Sequence, residues 1–494
     1  MNHTATAVRL LTPGEVFTDR DTSPLPLATD IPHAPVTGEP RQLSALDLML
    51  LDSETASMPL HIGALILLDS SRSPHGPLDV GSLRRTFAAR LHLVAALRWR
   101  VRTVPFGLDR PYWEDCEAID LGRHVRAATL PEGATDADLT DYVSRHHALP
   151  LARSRPLWEC HLISGLSGGR QAVYMKIHHA VIDGVSAAEI MAAFLDISAT
   201  PSVAPLPGEG MRRNRTPSTR EMLTRSIPNS IERQSARARA VRAALPSLLR
   251  LRADLRGRHH DIPFNRPLTP ARTVAYASLP LEQVKNVKRS IDGTVNDVVM
   301  AVCTSAIRRW MLDRDLPADR PVLAAVPVSV RTAEQIGQAG NQFSLMLSAL
   351  PIDETDPGNR LRLLHRNLLA AKDRLRAQPP DLLHQITSLL TPALHGLPTR
   401  TLLNTVSPAL PLANLLVSNV PGPQIPLYLN GIRVLASYPV SVLTELSGGL
   451  NITVMSYDGH LDFGIVACTD AVPDAWTIAG HMTHALTELQ QGLP

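Results

Sequence analysis

Cysteine is scarce in this chain: Cys116, Cys160, Cys303 and Cys468 stand far apart and form no CxxC pair. That excludes a disulfide framework and a zinc cluster, and it fits a reduced, cytosolic setting. Aromatic residues amount to only 4%, and none interleaves the arginines between Met211 and His260, which speaks against nucleic-acid binding. Long apolar runs are missing too. A bilayer span needs about 18 to 20 unbroken apolar residues, whereas the stretch from Leu402 to Leu429 is cut by Pro408, Pro411, Pro421, Pro423 and Pro426. Any membrane contact is therefore expected to be peripheral. The first residues, Met1 to about Glu39, lack the apolar core of a secretory signal and read as a loose polar tail. There is no GxxxxGK phosphate loop and no short-period repeat.

What is present is ordinary globular material in quantity. The chain has 494 residues, 44% apolar and 19% charged, enough for two or three domains with sizeable cores. The net charge of +3 conceals an imbalance: Met211 to His260 holds 13 arginines against Glu221, Glu232 and Asp254, a local +10 that leaves about −7 elsewhere.

The apolar periodicity predicts a mixed α/β organisation. Leu43 to Leu51 reads as a short helix, Leu60 to Leu68 as a buried strand, and Leu83 to Leu93 as a second helix. From Pro156 the pattern is strand, turn, strand, with SGLSGGR as the turn. Asp183 and Gly184 then open a helix in which Val185, Ala188, Met191 and Leu195 recur at helical spacing. Residues from about Thr200 to Asn265 are rich in Pro, Arg and Ala and read as a connector; Leu245, Leu248, Leu249, Leu251 and Leu255 among arginines predict an amphipathic helix bent at Pro246. Further on, strands are expected over Thr273–Leu279 and Val322–Val330, and helices over Asn296–Trp310 and Asn359–Ala377. ITVMSY, Asp458-Gly459 and LDFGIVAC give the strongest hairpin signal. The resulting domains are a tail over 1–39, an N-terminal domain over 40–200, a basic connector over 201–265 and a C-terminal domain over 266–494.

Two motifs are decoys. Gly165-Leu166-Ser167-Gly168-Gly169 satisfies GxSxG, but a nucleophile elbow needs a helix after it and here a strand follows. The overlapping LSGGRQ has no phosphate loop to serve. Both belong to a hairpin turn.

The informative element is HHAVIDG, from His178 to Gly184. Strand alternation places Val173, Met175, Ile177 and His179 on one face and Tyr174, Lys176 and His178 on the other. His179 then ends the apolar face, where desolvation favours the neutral imidazole, a base at the junction of strand and helix. A satisfied core histidine is the alternative, while a metal pair lacks further ligands. Asp183 is placed to cap the helix or hold an arginine, and Gly184 lets the backbone turn tightly. Residue chemistry alone reaches to proton abstraction.

HHAVIDG resembles the HHxxxDG motif of the CoA-dependent acyltransferase superfamily. Together with MPLHIGAL (Met58 to Leu65), RPLWE (Arg155 to Glu159), VNDVV (Val295 to Val299), PVSVR (Pro327 to Arg331), GNQ (Gly340 to Gln342) and SNVPGP (Ser418 to Pro423), it makes the chain from Leu43 onward similar to the bacterial wax ester synthase/diacylglycerol acyltransferase family. One departure is Pro150-Leu151-Ala152-Arg153, a stretch in which the family often carries an acidic residue.

The resemblance implies a two-domain chloramphenicol-acetyltransferase-like α/β fold, each domain a mixed sheet packed with helices, with the site at the interface. It implies transfer of a long-chain acyl group from acyl-CoA to diacylglycerol or a long-chain fatty alcohol. His179 is the general base, flanked by His178, with Asp183 and Gly184 shaping the turn; Arg98, Arg100 and Arg331 are candidate partners of Asp183. Pro156, Leu157 and Trp158 are expected at the acyl channel, with burial of Trp158 in an edge strand as the alternative. Asn296 and Asp297 are expected at a helix start facing the site, or as simple caps. Ser418 to Pro423 reads as a rigid loop with Asn419 as a polar contact, and Gly63 admits an acyl chain or simply packs closely. No metal or cofactor is expected, acyl-CoA being a substrate. The arginine-rich connector suggests peripheral attachment to a membrane or lipid inclusion, the acyl acceptors being lipids; the alternative is a solvated crossover, and nucleic acid is not an expected partner. The rival readings are a condensation-type enzyme taking acyl groups from a carrier protein, and a non-catalytic coat of lipid inclusions.

Overall fold

A computed structural model of the chain describes residues 39–73, 76–181, 190–202, 215–226, 228–229, 262–329, 343–376 and 413–492. The expected hairpin after Pro156 is the spine of the first half. Strand β6 (Trp158–Leu166) turns through Ser167–Gly169 into β7 (Gln171–His178). Gly168 and Gly169 take left-handed φ values of 70° and 65°, which glycine adopts without steric cost. This turn is the GxSxG decoy, and the strand that follows it removes any nucleophile elbow.

Around that hairpin the Leu- and Ile-rich β2 (His61–Leu68) pairs antiparallel with β7, and β5 (Val125–Ala134) pairs parallel with β6. The sheet is completed from far along the chain: β12 (Tyr428–Leu429) and β13 (Ile432–Val440) add themselves outside β2, giving the order β12-β13-β2-β7-β6-β5. Helices α1 (Ala45–Ser53) and α2 (Val80–Arg90), capped by Ser44 and Asp79, bury Leu51, Leu83 and Phe87 in one core with Ile66, Trp158, Val173 and Ile177. On the other face lies α4 (Asp136–His147), which follows the single turn α3 (Leu121–His124). A separate three-stranded sheet joins β1 (Arg41–Gln42), β4 (Tyr112–Asp115) and β3 (Trp99–Arg102) in the order β1-β4-β3.

The second half holds another six-stranded sheet in the order β10-β9-β11-β14-β15-β8. Its strands are β8 (Arg272–Pro280), β9 (Val322–Ser329), β10 (Phe343–Leu350), β11 (Leu415–Val420), β14 (Leu450–Tyr457) and β15 (His460–Cys468). The β14–β15 hairpin turns at Asp458-Gly459, where the sequence signal put it. Helices α5 (Leu281–Arg289), α6 (Val295–Leu312), α7 (Pro357–Arg376) and α8 (Ala475–Gln491) cover it. α6 is apolar nearly all round, so it lies inside, with Val298, Val299, Ile307 and Trp310 at most 1% exposed. Burying each such side chain contributes about 1.5–3 kcal/mol.

The halves meet along one seam. Trp476 Nε1 donates to Thr140 Oγ1 at 3.1 Å, and the amide of Val274 to Ser144 Oγ at 2.9 Å. β15 crosses β13 so closely that a Cβ on Gly464 would lie 1.6 Å from the carbonyl oxygen of Pro439. Only a residue without a side chain fits there. Among the described residues no helix is long and apolar enough to cross a membrane. The amphipathic helix expected around Leu245 to Leu255 lies outside the described residues, as does the tail before Glu39.

Candidate active site

The two motif histidines sit where β7 ends against its neighbours on both sides. The amide of His178 donates to Leu157 O on the β6 side, and the amide of His179 to Leu60 O on the β2 side, each at 2.9 Å. The strand proper closes at His178, one residue earlier than simple alternation places the end, and His179 opens the turn, half-buried. The turn is tied by His178: its Nδ1 accepts from the amide of Ala180 at 3.0 Å, and its carbonyl from the amide of Val181 at 2.9 Å.

An Nδ1 that accepts fixes the proton on Nε2, which lies 3.6 Å from Glu54 Oε1. The other Glu54 oxygen takes Arg153 Nη2 at 3.1 Å. Residues 150–153, where an acidic residue is often found, thus supply an ion pair of their own from the opposite charge. Burial pushes the pKa of His178 well below 6.5, and His61, Arg153 and His179 add repulsion. His178 is therefore neutral and turned into the fold, and His179 is the member of the pair left at the turn.

The even face of β7 carries a buried polar cluster. As alternation predicts, Tyr174, Lys176 and His178 share it, and α4 brings His146 and His147 against them. Lys176 Nζ donates to the carbonyls of His146 and Leu149 at 2.7 and 2.8 Å and lies 4.0 Å from Glu159. Burial lowers its pKa to about 8. Burial alone would raise Glu159, but His161, Lys176, Arg126 and Arg155 hold it down to about 2. His147 Nδ1 accepts from Tyr174 Oη at 2.8 Å and Nε2 donates to Ser441 O at 3.1 Å, across the seam. Burial takes its pKa to about 3. His61, opposite His178, donates through Nε2 to the carbonyl of His147. Sequence reading missed His61, His147 and Glu159 as members of one cluster; the available signal was the polar even face of an otherwise apolar strand.

The other expected site residues are placed as follows. Asp183 and Gly184 lie outside the described residues, as does Arg331. Of the remaining candidate partners for Asp183, Arg98 is bonded to Asp115 at 2.8 Å and Arg100 to Glu114. Pro156 and Leu157 lead into β6, which is an interior strand and not an edge. Trp158 is core: it stacks on Phe87, lies against His124 and donates Nε1 to Leu97 O at 2.8 Å. At Gly63 a Cβ would meet Met175 O at 2.6 Å and the Tyr174 ring at 3.1 Å, so the position is closely packed.

Asn296 and Asp297 occupy the first turn of α6. The cap is Thr294, and Asp297 completes a capping box by accepting from the Thr294 amide and hydroxyl at 2.7 and 2.9 Å. The same oxygen lies 3.1 Å from His365 Nδ1. Among the described residues the Nδ2 of Asn296 is buried without a hydrogen-bond partner. Ser418 and Asn419 are in strand β11 and not in a loop, paired with Thr453 and Val454. The loop begins at Pro421, where Gly422 donates to Ser456 Oγ at 3.0 Å and a Cβ would meet Ser456 O at 2.2 Å.

The chain is similar to known proteins along most of its length. Residues 43–299 match the wax ester synthase/diacylglycerol acyltransferase catalytic domain, and residues 339–490 the C-terminal domain of the same group. A putative diacylglycerol O-acyltransferase of Mycobacterium tuberculosis is 33% identical over 471 residues, covering 93% of this chain and 92% of its own. The wax ester synthase/diacylglycerol acyltransferase of Marinobacter aquaeolei superposes with a TM-score of 0.67 at 28% identity, over 91% of this chain and 99% of that one. A condensation domain of the calcium-dependent antibiotic synthetase, 20% identical, superposes with a TM-score of 0.55 over 92% of this chain and 96% of its own, a likeness of fold.

Proposed function

The chain belongs to the wax ester synthase/diacylglycerol acyltransferase family, and on that premise we propose that it moves a long-chain acyl group from acyl-CoA to diacylglycerol or a long-chain fatty alcohol, with His179 as general base. The observation that carries the assignment is the division of labour between the two histidines. His178 is buried, neutral and tied through Nδ1 to the amide of Ala180, while His179 opens the turn half-buried, its amide donating to Leu60 O.

In the proposed reaction the acceptor hydroxyl gives its proton to His179 as its oxygen attacks the thioester carbonyl. The tetrahedral oxyanion collapses, the carbon–sulfur bond breaks, and the CoA thiolate takes the proton back from the imidazolium. Products are the ester and free CoA, and the balance requires no metal or organic cofactor. Such proton transfer is worth about 10²- to 10⁴-fold, so holding both substrates in line supplies much of the remainder. Asp183 and Gly184 are proposed to set the surroundings of His179, with one of Arg98, Arg100 and Arg331 as the partner of Asp183. Leu157 acts through its carbonyl on His178. Asn296, whose buried amide is unspent, and Asn419 are proposed as polar contacts to substrate. The arginine-rich connector is proposed to hold the enzyme peripherally at the membrane or inclusion surface where its lipid substrates reside.

The test is product analysis with palmitoyl-CoA and with a palmitoyl carrier protein as donors, each against hexadecanol and dioleoylglycerol. Ester formed from the CoA donor supports the reading. Ester or amide formed only from the carrier-bound donor assigns the chain to condensation-type chemistry, and no product from either leaves the lipid-coat reading.

A further inference from the structure

The loop joining β3 to β4 carries an aromatic ring that the fold does not use. Phe106 is 89% exposed. Its φ is +58°, and the other non-glycine residues with positive φ among the described residues are Asp292, Asp315, Asn430 and Asp458, the types that tolerate this region. A bulky side chain held there is strained, and burial returns nothing, so the conformation costs stability without a gain inside the protein. The same loop exposes 39% of Leu108.

Below this tip the connector residues 215–226 and 228–229 dock. Met222, on the helix over 219–226, is buried with Val104 and Tyr112, and Asn229 Nδ2 donates to Asp109 Oδ2 at 2.7 Å. Residues 99–110 and 215–229 contain Arg100, Arg102, Arg110, Arg215, Arg220 and Arg225 against only Asp109 and Glu221. Both acids are engaged internally, Asp109 by Asn229 and Glu221 by Arg215 and Arg225 at 2.6 and 2.8 Å. Arg102 and Arg220 are exposed.

We propose that the Pro105–Leu108 loop, with the arginine-rich segment seated at its base, is the point at which the protein docks on an anionic lipid surface. Phe106 and Leu108 enter the boundary between headgroups and acyl chains while the exposed Arg102 and Arg220 face the phosphates. An apolar tip with exposed Arg102 on its own strand and Arg220 on the helix seated below it suits that interface, where each element alone binds weakly. This rests on the reading of the acceptors as membrane lipids, and it assigns the contact to a loop as well as to the connector.

The test is flotation of the full-length protein with phosphatidylcholine vesicles, with and without added phosphatidylglycerol. Wild type should float with the anionic vesicles and be released by salt. Phe106→Ser should lower the partition coefficient about tenfold, as the loss of one buried aromatic ring implies. Phe106→Gly should lower it equally while the melting temperature holds or rises, because glycine takes φ +58° freely. Arg102→Glu with Arg220→Glu should abolish the preference for anionic vesicles. Thiol release in all these variants with detergent-dispersed acceptor should match wild type. Equal flotation of wild type and both Phe106 variants would overturn the loop assignment; failure of wild type to float on either vesicle would overturn the peripheral-attachment reading itself.

Discussion

His178 Nε2 stands 3.6 Å from Glu54 Oε1, and its Nδ1 accepts from the Ala180 amide at 3.0 Å. One end of the ring holds the turn that presents His179; the other faces the carboxylate at the end of α1 without a hydrogen bond to it. The adjacent histidines of the motif thus do different work. Glu54→Ala would remove the acceptor that Arg153 Nη2 reaches at 3.1 Å and open a gap beside the buried His178 ring, a loss of about 1 kcal/mol. Melting temperature and kcat should fall together with KM little changed. Glu54→Gln, which still accepts a hydrogen bond, should recover most of both.

Acid should unfold this protein through its histidines. His147 titrates near 6.5 when unfolded but only at about 3 in the fold, because burial disfavours its charged form. The unfolded chain therefore binds the proton first as pH falls, and stability present above 6.5 is lost progressively below it, by about 1.4 kcal/mol per pH unit for this group. His61 and His178 are shifted in the same direction. Denaturant melts from pH 8 to pH 4 should show that decline, and His147→Gln should flatten its slope.

The seam predicts a severe glycine substitution. Gly464→Ala puts a methyl group 1.6 Å from Pro439 O, so β13 and β15 must separate, at a cost of about 1–3 kcal/mol or more. Gly63→Ala, with Met175 O at 2.6 Å, should likewise lower the melting temperature. It should leave the preference among acyl-CoA chain lengths unaltered, a result that assigns Gly63 to packing; a shift toward shorter chains would assign it to the acyl channel.

At the start of α6, Asp297 serves the capping box with Thr294 and also faces His365. Loss of such a cap costs about 1 kcal/mol. Asp297→Ala and Thr294→Val should lower melting temperature and activity in parallel. A fall in activity with Asp297→Ala alone, at unchanged stability, would instead place the carboxylate in contact with substrate.

The legible parts of the sequence were those written locally. Alternation with a turn announced the β6–β7 and β14–β15 hairpins, and an unbroken apolar helix pattern announced α6. HHAVIDG, with its companion motifs, announced the family. What stayed illegible depended on partners remote in the chain. Arg98 and Arg100 are interchangeable on paper until β4 brings Asp115 and Glu114 to them. His61 and His147 are separated by 86 residues before one donates to the other's carbonyl. Trp158 could be placed in an edge strand because nothing in RPLWE says that β7 and β5 flank β6. The loop tip at Phe106 left no periodic signal at all; its φ and exposure exist only in three dimensions.

The most direct test is acceptor-dependent thiol release from palmitoyl-CoA by wild type, His178→Ala and His179→Ala, with folding checked by melting temperature. The account predicts that His179→Ala stays folded and loses at least about a hundredfold in kcat, while His178→Ala loses stability and activity together. Undiminished release by a folded His179→Ala protein would contradict it.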